Sequence, residues 1–83
     1  MNDRILVSMD NLMGLLPENL AAQVDYLMQG LWDQNGTARG DTVFTSLIHA
    51  YQDLNMDTKA SREWQLPDIH ELLMNDRITV VNG

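Results

Sequence analysis

The chain has no cysteine, two prolines, five aromatic residues and five basic side chains among its 83 residues. Each shortage removes a class of function. Without cysteine there is neither a disulfide framework nor a thiolate metal site. Two histidines do not complete a tetrahedral zinc site by themselves. Five Lys and Arg stand against twelve Asp and Glu, a net charge of -7. Phosphate binding runs on Lys and Arg, so direct contact with nucleic acid or with an anionic membrane is not expected. No run approaches the roughly 18 apolar residues that span a bilayer. Asp3 and Arg4 precede only a few apolar residues, which is not the form of a signal peptide. The expectation is one soluble cytoplasmic domain, residues 1–83.

Domains this small bury only about 60–65% of the surface their unfolded chain exposes, so their stability margin is thin. Disulfides and thiolate metal sites being excluded, self-association is the remaining stabiliser. The acidic excess keeps a Met- and Leu-rich chain in solution and also favours a basic partner, whose encounter it would speed.

What is present begins with a repeated tetrapeptide. Asn2-Asp3-Arg4-Ile5 opens the chain and Asn75-Asp76-Arg77-Ile78 closes it. Asn-Asp favours a turn, and the Ile and Val that follow favour a strand. Four residues are too few to argue duplication, and two turn-to-strand junctions converge on such a motif easily. The reading is a strand over Arg4–Met9 and another over Arg77–Val81, paired with each other or with a second copy.

Between them the pattern is helical. Asp10 reads as the N-cap of a brief turn over Asn11–Leu16, which Gly14 weakens and Pro17 interrupts. From Pro17 to about Gln34 the residues Leu20, Val24, Leu27 and Leu31 are spaced 4, 3, 4, with Met28 and Trp32 widening the stripe. This predicts an amphipathic helix whose seam packs on its own chain or on a second one. Asn35-Gly36 ends it, and Gly36–Gly40 reads as a loop. Asp41 is a good N-cap for a helix over Thr42–Asn55, carried by Val43, Phe44, Leu47, Ile48, Tyr51 and Leu54. Asp57–Gln65 is polar and ambiguous. Leu66-Pro67-Asp68 starts a last short helix through Met74 with Ile69, Leu72 and Leu73 as its apolar face. The fold class is therefore α+β, mainly helical, with three main helices and short terminal β-strands.

Catalytic patterns fail one after another. Asp53-Leu54-Asn55-Met56-Asp57 resembles the first half of a calcium loop, but Thr58 stands where glycine is needed and Trp64 where a bidentate glutamate is needed. His49 and Asp53 are one helical turn apart, an arrangement common on any polar helix. His70-Glu71 are sequence neighbours that point to different sides of a helix. Ser8, Ser46 and Ser61 lack a nucleophile-elbow setting. Gly36-Thr37-Ala38-Arg39-Gly40 lacks the lysine and spacing of a phosphate loop. No enzyme activity, metal or cofactor is expected.

Contact chemistry remains. Tryptophan, tyrosine, methionine and arginine dominate protein interfaces, and six methionines is a high number at this length. Trp32 is expected in the core or a self-interface. Trp64, with Arg62 and Glu63 beside it, and Tyr51 are the candidate partner-binding residues. Leu20, Val24, Leu27, Leu31, Ile5, Val7, Ile78 and Val80 are the candidate oligomer interface.

In length, acidity, Met-rich helices and lack of an active site, the chain resembles the small cysteine-free regulators that temperate phages and other mobile elements encode. These include antirepressors, anti-restriction proteins and anti-CRISPR inhibitors. The resemblance implies an inhibitor that binds a DNA-associated protein, with antirepressor action suiting a compact, oligomerising helical chain best. A DNA mimic fits less well, because the acids are spread singly rather than in a dense stripe. The alternative is a virion assembly factor or chaperone-type structural protein. For a phage-encoded regulator the setting is the host cytoplasm.

Overall fold

The computed structural model describes residues 4–55 and 66–83. The chain runs β1 (Ile5–Ser8), α1 (Met9–Met13), α2 (Glu18–Met28), β2 (Thr37–Arg39), α3 (Gly40–Asp53), α4 (Leu66–Leu73) and β3 (Ile78–Val81). This is a mainly helical α+β domain. The three strands among the described residues form one sheet in the order β1-β3-β2.

The terminal strands pair with each other within the chain. They run parallel, and Ile5 stands opposite Ile78 in register. The two copies of the tetrapeptide therefore end side by side. At the second copy the turn is visible: the Arg77 N–H donates to Asn75 Oδ1 at 2.9 Å, and the Ile78 N–H donates to the Asn75 carbonyl at 3.0 Å. An Asx turn of this kind is how asparagine starts a strand after a helix. A parallel pair needs a long crossover connection, here supplied by the helices.

β2 is a strand where the sequence reads as a loop. Thr37, Ala38 and Arg39 pair antiparallel with Val81, Val80 and Thr79. Three residues between two glycines give too short a period-two signal to see, and only the waiting edge of β3 makes them a strand.

The core lies between the sheet and the helices. Met9, Leu12, Leu20, Val24, Met28, Val43, Leu47, Ala50, Tyr51, Ile69, Leu73, Ile78 and Val80 are buried together. The alternation on β3 is strict, with Ile78 and Val80 buried and Thr79 and Val81 half-buried. By register, Val7 and Ala38 share the core face with Val80, and both pack against the buried cluster. Leu6, Thr79 and Arg39 share the opposite face. α2 and α3 form the largest helical contact. It includes the buried Ser46 hydroxyl on the Met28 sulfur at 3.2 Å, and Gln23 Nε2 donating to Asp53 Oδ2 at 3.1 Å.

Several boundaries differ from the pattern. α2 stops at Met28 rather than near Gln34, because Gly30 takes φ +84° and turns the chain out of the helix. The hydrophobic period continues through Leu31 and Trp32, but periodicity does not register a glycine that reverses the backbone. Pro17 sits just before α2 rather than as its first residue. α1 starts at Met9 with Ser8 at the N-cap position, so Asp10 lies inside the first turn. α3 starts at Gly40 after Arg39, so Asp41 also lies in the first turn, where it complements the helix dipole.

Candidate functional site

The structure divides the candidate interface residues by burial. Leu20, Val24 and Val80 are fully buried and Ile78 is 2% exposed, all within one chain. They belong to the intramolecular core, not to a surface between chains. The reason is packing within the chain: α3 already occupies the α2 stripe that a second copy would need, and it also packs on β3. Leu27 and Val7 are half-buried against that core. Leu31 is half exposed, because it lies beyond the Gly30 turn. Ile5 is 49% exposed at the start of an edge strand.

Tyr51 is corrected in the same way. It is 5% exposed and part of the core, and burial pushes its phenol above the ordinary value. Tyrosine at helical spacing with Leu47 and Leu54 packs inward because α3 has neighbours on that side. Trp64, Arg62 and Glu63 lie outside the described residues. Trp32 is half-buried against the core from the turn that follows α2.

Among the described residues, the aromatic side chain most open to solvent is Tyr26, 64% exposed on α2. It stands on the side opposite Leu20, Val24 and Met28, with Glu18, Ala22, Asp25 and Gln29 exposed around it. The signal was in the sequence: a large aromatic residue falls off the apolar stripe, between an acid and the seam. A stripe-counting reading passes over it because it asks which residues are inside.

Charge is distributed unevenly. The arginines among the described residues, Arg4, Arg39 and Arg77, all sit at one end of the sheet, where β1 and β3 begin and β2 ends. A cleft of about 440 Å³ opens there, lined in part by Arg4, Arg39, Asp41 and Asp76. Arg39 pairs with Asp41 at 2.9 Å, and Arg4 Nη1 donates to Thr79 Oγ1 at 3.0 Å. Two cations and two anions in one wall balance each other, and the partners already made fix the arginines. The rest of the described surface is acidic, including Asp10, Glu18, Asp25, Asp33, Asp68 and Glu71.

The remaining chemical candidates disperse. His49 is exposed on α3, and Asp53 accepts from Gln23 rather than from His49. His70 packs against Phe44 with tilted rings, centroids 4.7 Å apart, which ties α4 to α3. Ser46 is a buried donor to sulfur, and the Ser8 hydroxyl donates to the Gly83 carbonyl. Ser61 and most of the segment that resembles a calcium loop lie outside the described residues. No group of three or more His, Asp or Glu close enough to hold a metal ion occurs among the described residues. Among them too, no helix is long and apolar enough to cross a membrane.

The fold and this surface define a small acidic α+β domain with a solvent-facing aromatic on its second helix. No protein-family model, curated protein or solved structure matches the chain.

Proposed function

We propose that this protein is a non-enzymatic regulator that binds the basic surface of a DNA-binding protein and inactivates it, in the manner of an antirepressor. The observation that supports this reading is the outer side of α2, which exposes Tyr26 at 64% and, beside that face, Glu18 and Asp25. An exposed tyrosine on a helix that also exposes two acids is suited to a surface that presents Lys and Arg near an apolar spot. Tyrosine is among the residues that carry most binding energy at interfaces. The net charge of -7 would steer such an encounter and make it sensitive to salt. DNA-binding proteins carry basic surfaces of this kind, and occupying one competes directly with phosphate. Such a regulator acts in the cytoplasm, or in that of the host where a phage encodes it.

The test is titration of the purified protein against operator-bound transcriptional repressors encoded beside it. Release of DNA at a fixed stoichiometry is the expected result, with Tyr26→Ala weakening the interaction about tenfold or more. Failure to release any neighbouring regulator at any ratio would overturn the reading.

A further inference from the structure

The two edges of the sheet are finished differently. On the β2 edge, Asp33 folds back over Thr37. Its Oδ1 accepts the Thr37 N–H at 2.9 Å, its Oδ2 accepts the Thr37 hydroxyl at 2.6 Å, and its own N–H donates to the Thr37 carbonyl at 2.9 Å. Both peptide groups that Thr37 would offer a further strand are therefore taken. At its other end β2 runs directly into α3. That edge is sealed.

Among the described residues, β1 has no such cover. The Ile5 N–H donates to the Arg77 carbonyl at 2.8 Å, so Ile5 and Val7 direct their peptide groups at β3. Leu6, between them, directs its N–H and C=O to the open side. Its side chain is 68% exposed and that of Ile5 49%. Natural edge strands are guarded by proline, lysine, bulges or a covering segment. Ile5–Ser8 contains neither proline nor lysine.

We propose that β1 is the seam of a homodimer, formed by antiparallel pairing of two copies of β1 about a twofold axis at Leu6. In this register Leu6 exchanges both peptide hydrogen bonds with Leu6 of the second copy. The Arg4 carbonyl accepts from the Ser8 N–H of the second copy, and the same bond forms again across the axis. The exposed Leu6 side chains then lie directly opposite each other on the solvent face of the sheet.

Charge selects this occupant and this direction. The strand is preceded by Asp3 and Arg4 and followed by Asp10, and Arg4 and Asp10 are exposed. Antiparallel pairing sets Arg4 of one copy opposite Ser8 of the other, two residues from its Asp10, so that the guanidinium now on Thr79 can turn to that carboxylate, twice. Parallel pairing would set arginine on arginine and aspartate on aspartate. The strand is complementary to itself only when antiparallel, which is the condition for a closed, isologous contact. The result is a six-stranded sheet with a sealed β2 at each end. One open and one sealed edge per chain stop growth at two copies, so the assembly closes rather than extending into a fibre.

Light scattering after size exclusion tests this on the full chain. The expected mass is twice 9.4 kDa at high concentration, falling to 9.4 kDa on dilution. Leu6→Lys should give the monomer at every concentration with an unchanged circular dichroism spectrum, since Leu6 faces solvent. Arg4→Glu should weaken the dimer and the double swap Arg4→Glu with Asp10→Arg should restore it, which separates lost pairing from lost folding. A wild-type chain that stays monomeric throughout overturns the proposal. So does a dimer that Leu6→Lys leaves intact, or a monomer that uses Leu6 only to bind another protein. Tyr26→Ala should leave the dimer unaffected, so this test and that of regulator binding fail independently.

Discussion

A Cβ placed on Gly40 would lie 2.0 Å from the carbonyl oxygen of Leu73 and 2.8 Å from its carbonyl carbon. The first turn of α3 and the last turn of α4 thus touch backbone to backbone. Gly40 is in a helix, where glycine ordinarily costs stability relative to alanine. Here the absence of a side chain is what lets the two helices meet.

Gly40→Ala should therefore destabilise rather than stabilise the fold, against the usual direction for a helical glycine. The obstruction is backbone, which cannot swing aside as a side chain can. A loss of at least about 2 kcal/mol is expected, comparable with overpacking in a core. In a domain of this size that lowers the melting temperature by roughly 8–16 °C. Thermal denaturation followed by circular dichroism measures it, and an unchanged or raised midpoint would contradict the contact.

Leu20 and Leu31 share one helical stripe in the sequence but not one environment. Leu20→Ala opens a cavity in a fully buried site and should cost about 2–5 kcal/mol, independent of protein concentration. Leu31→Ala removes a half-exposed side chain beyond the Gly30 turn and should cost within about 0.5 kcal/mol. Urea titrations of the two variants compare them directly. Equal losses would mean that α2 continues through Leu31.

The turn that seals β2 depends on an ionised carboxylate. The Thr37 hydroxyl, the Thr37 N–H and the Asn35 N–H all donate to Asp33 and together hold its carboxyl below the ordinary value of 3.8. A carboxyl lowered by folding contributes stability above its unfolded value and loses it as pH falls through the folded one. The Asp33 contribution should thus persist at neutral pH and fade as pH drops toward and below 3.8. Carbon-13 titration of the carboxyl should place its midpoint under that value. Asp33→Ala should speed hydrogen exchange at the Thr37 amide at neutral pH, with no comparable change in α2. Slow exchange in the variant would show that the turn holds without its carboxylate.

Much of the architecture was legible in the chain. The apolar spacing of Leu20, Val24 and Leu47 is imposed by the helical repeat, and helices form along it, save past Gly30 where the period continues and α2 does not. The Asn75-Asp76 turn and the Ile78–Val81 strand are written locally, since asparagine bonds its own backbone and β-branched residues suit a pleated surface. The length, the acidity and the lack of cysteine are fixed before any folding occurs.

Tertiary structure decided what those elements meet. Periodicity states that a side chain has an apolar neighbour, not whether the neighbour belongs to the same chain. Leu20, Val24, Ile78 and Val80 therefore read equally as core or interface until α3 and β3 were in place. Thr37–Arg39 became a strand only because β3 offered an edge, and Tyr51 went inward while Tyr26 went outward because α3 is packed on more sides than α2's outer face. The side-by-side placement of Ile5 and Ile78 is of the same kind. The repeated tetrapeptide dictates two strand starts, but their parallel alignment follows from the helices that return the chain to the same end of the sheet.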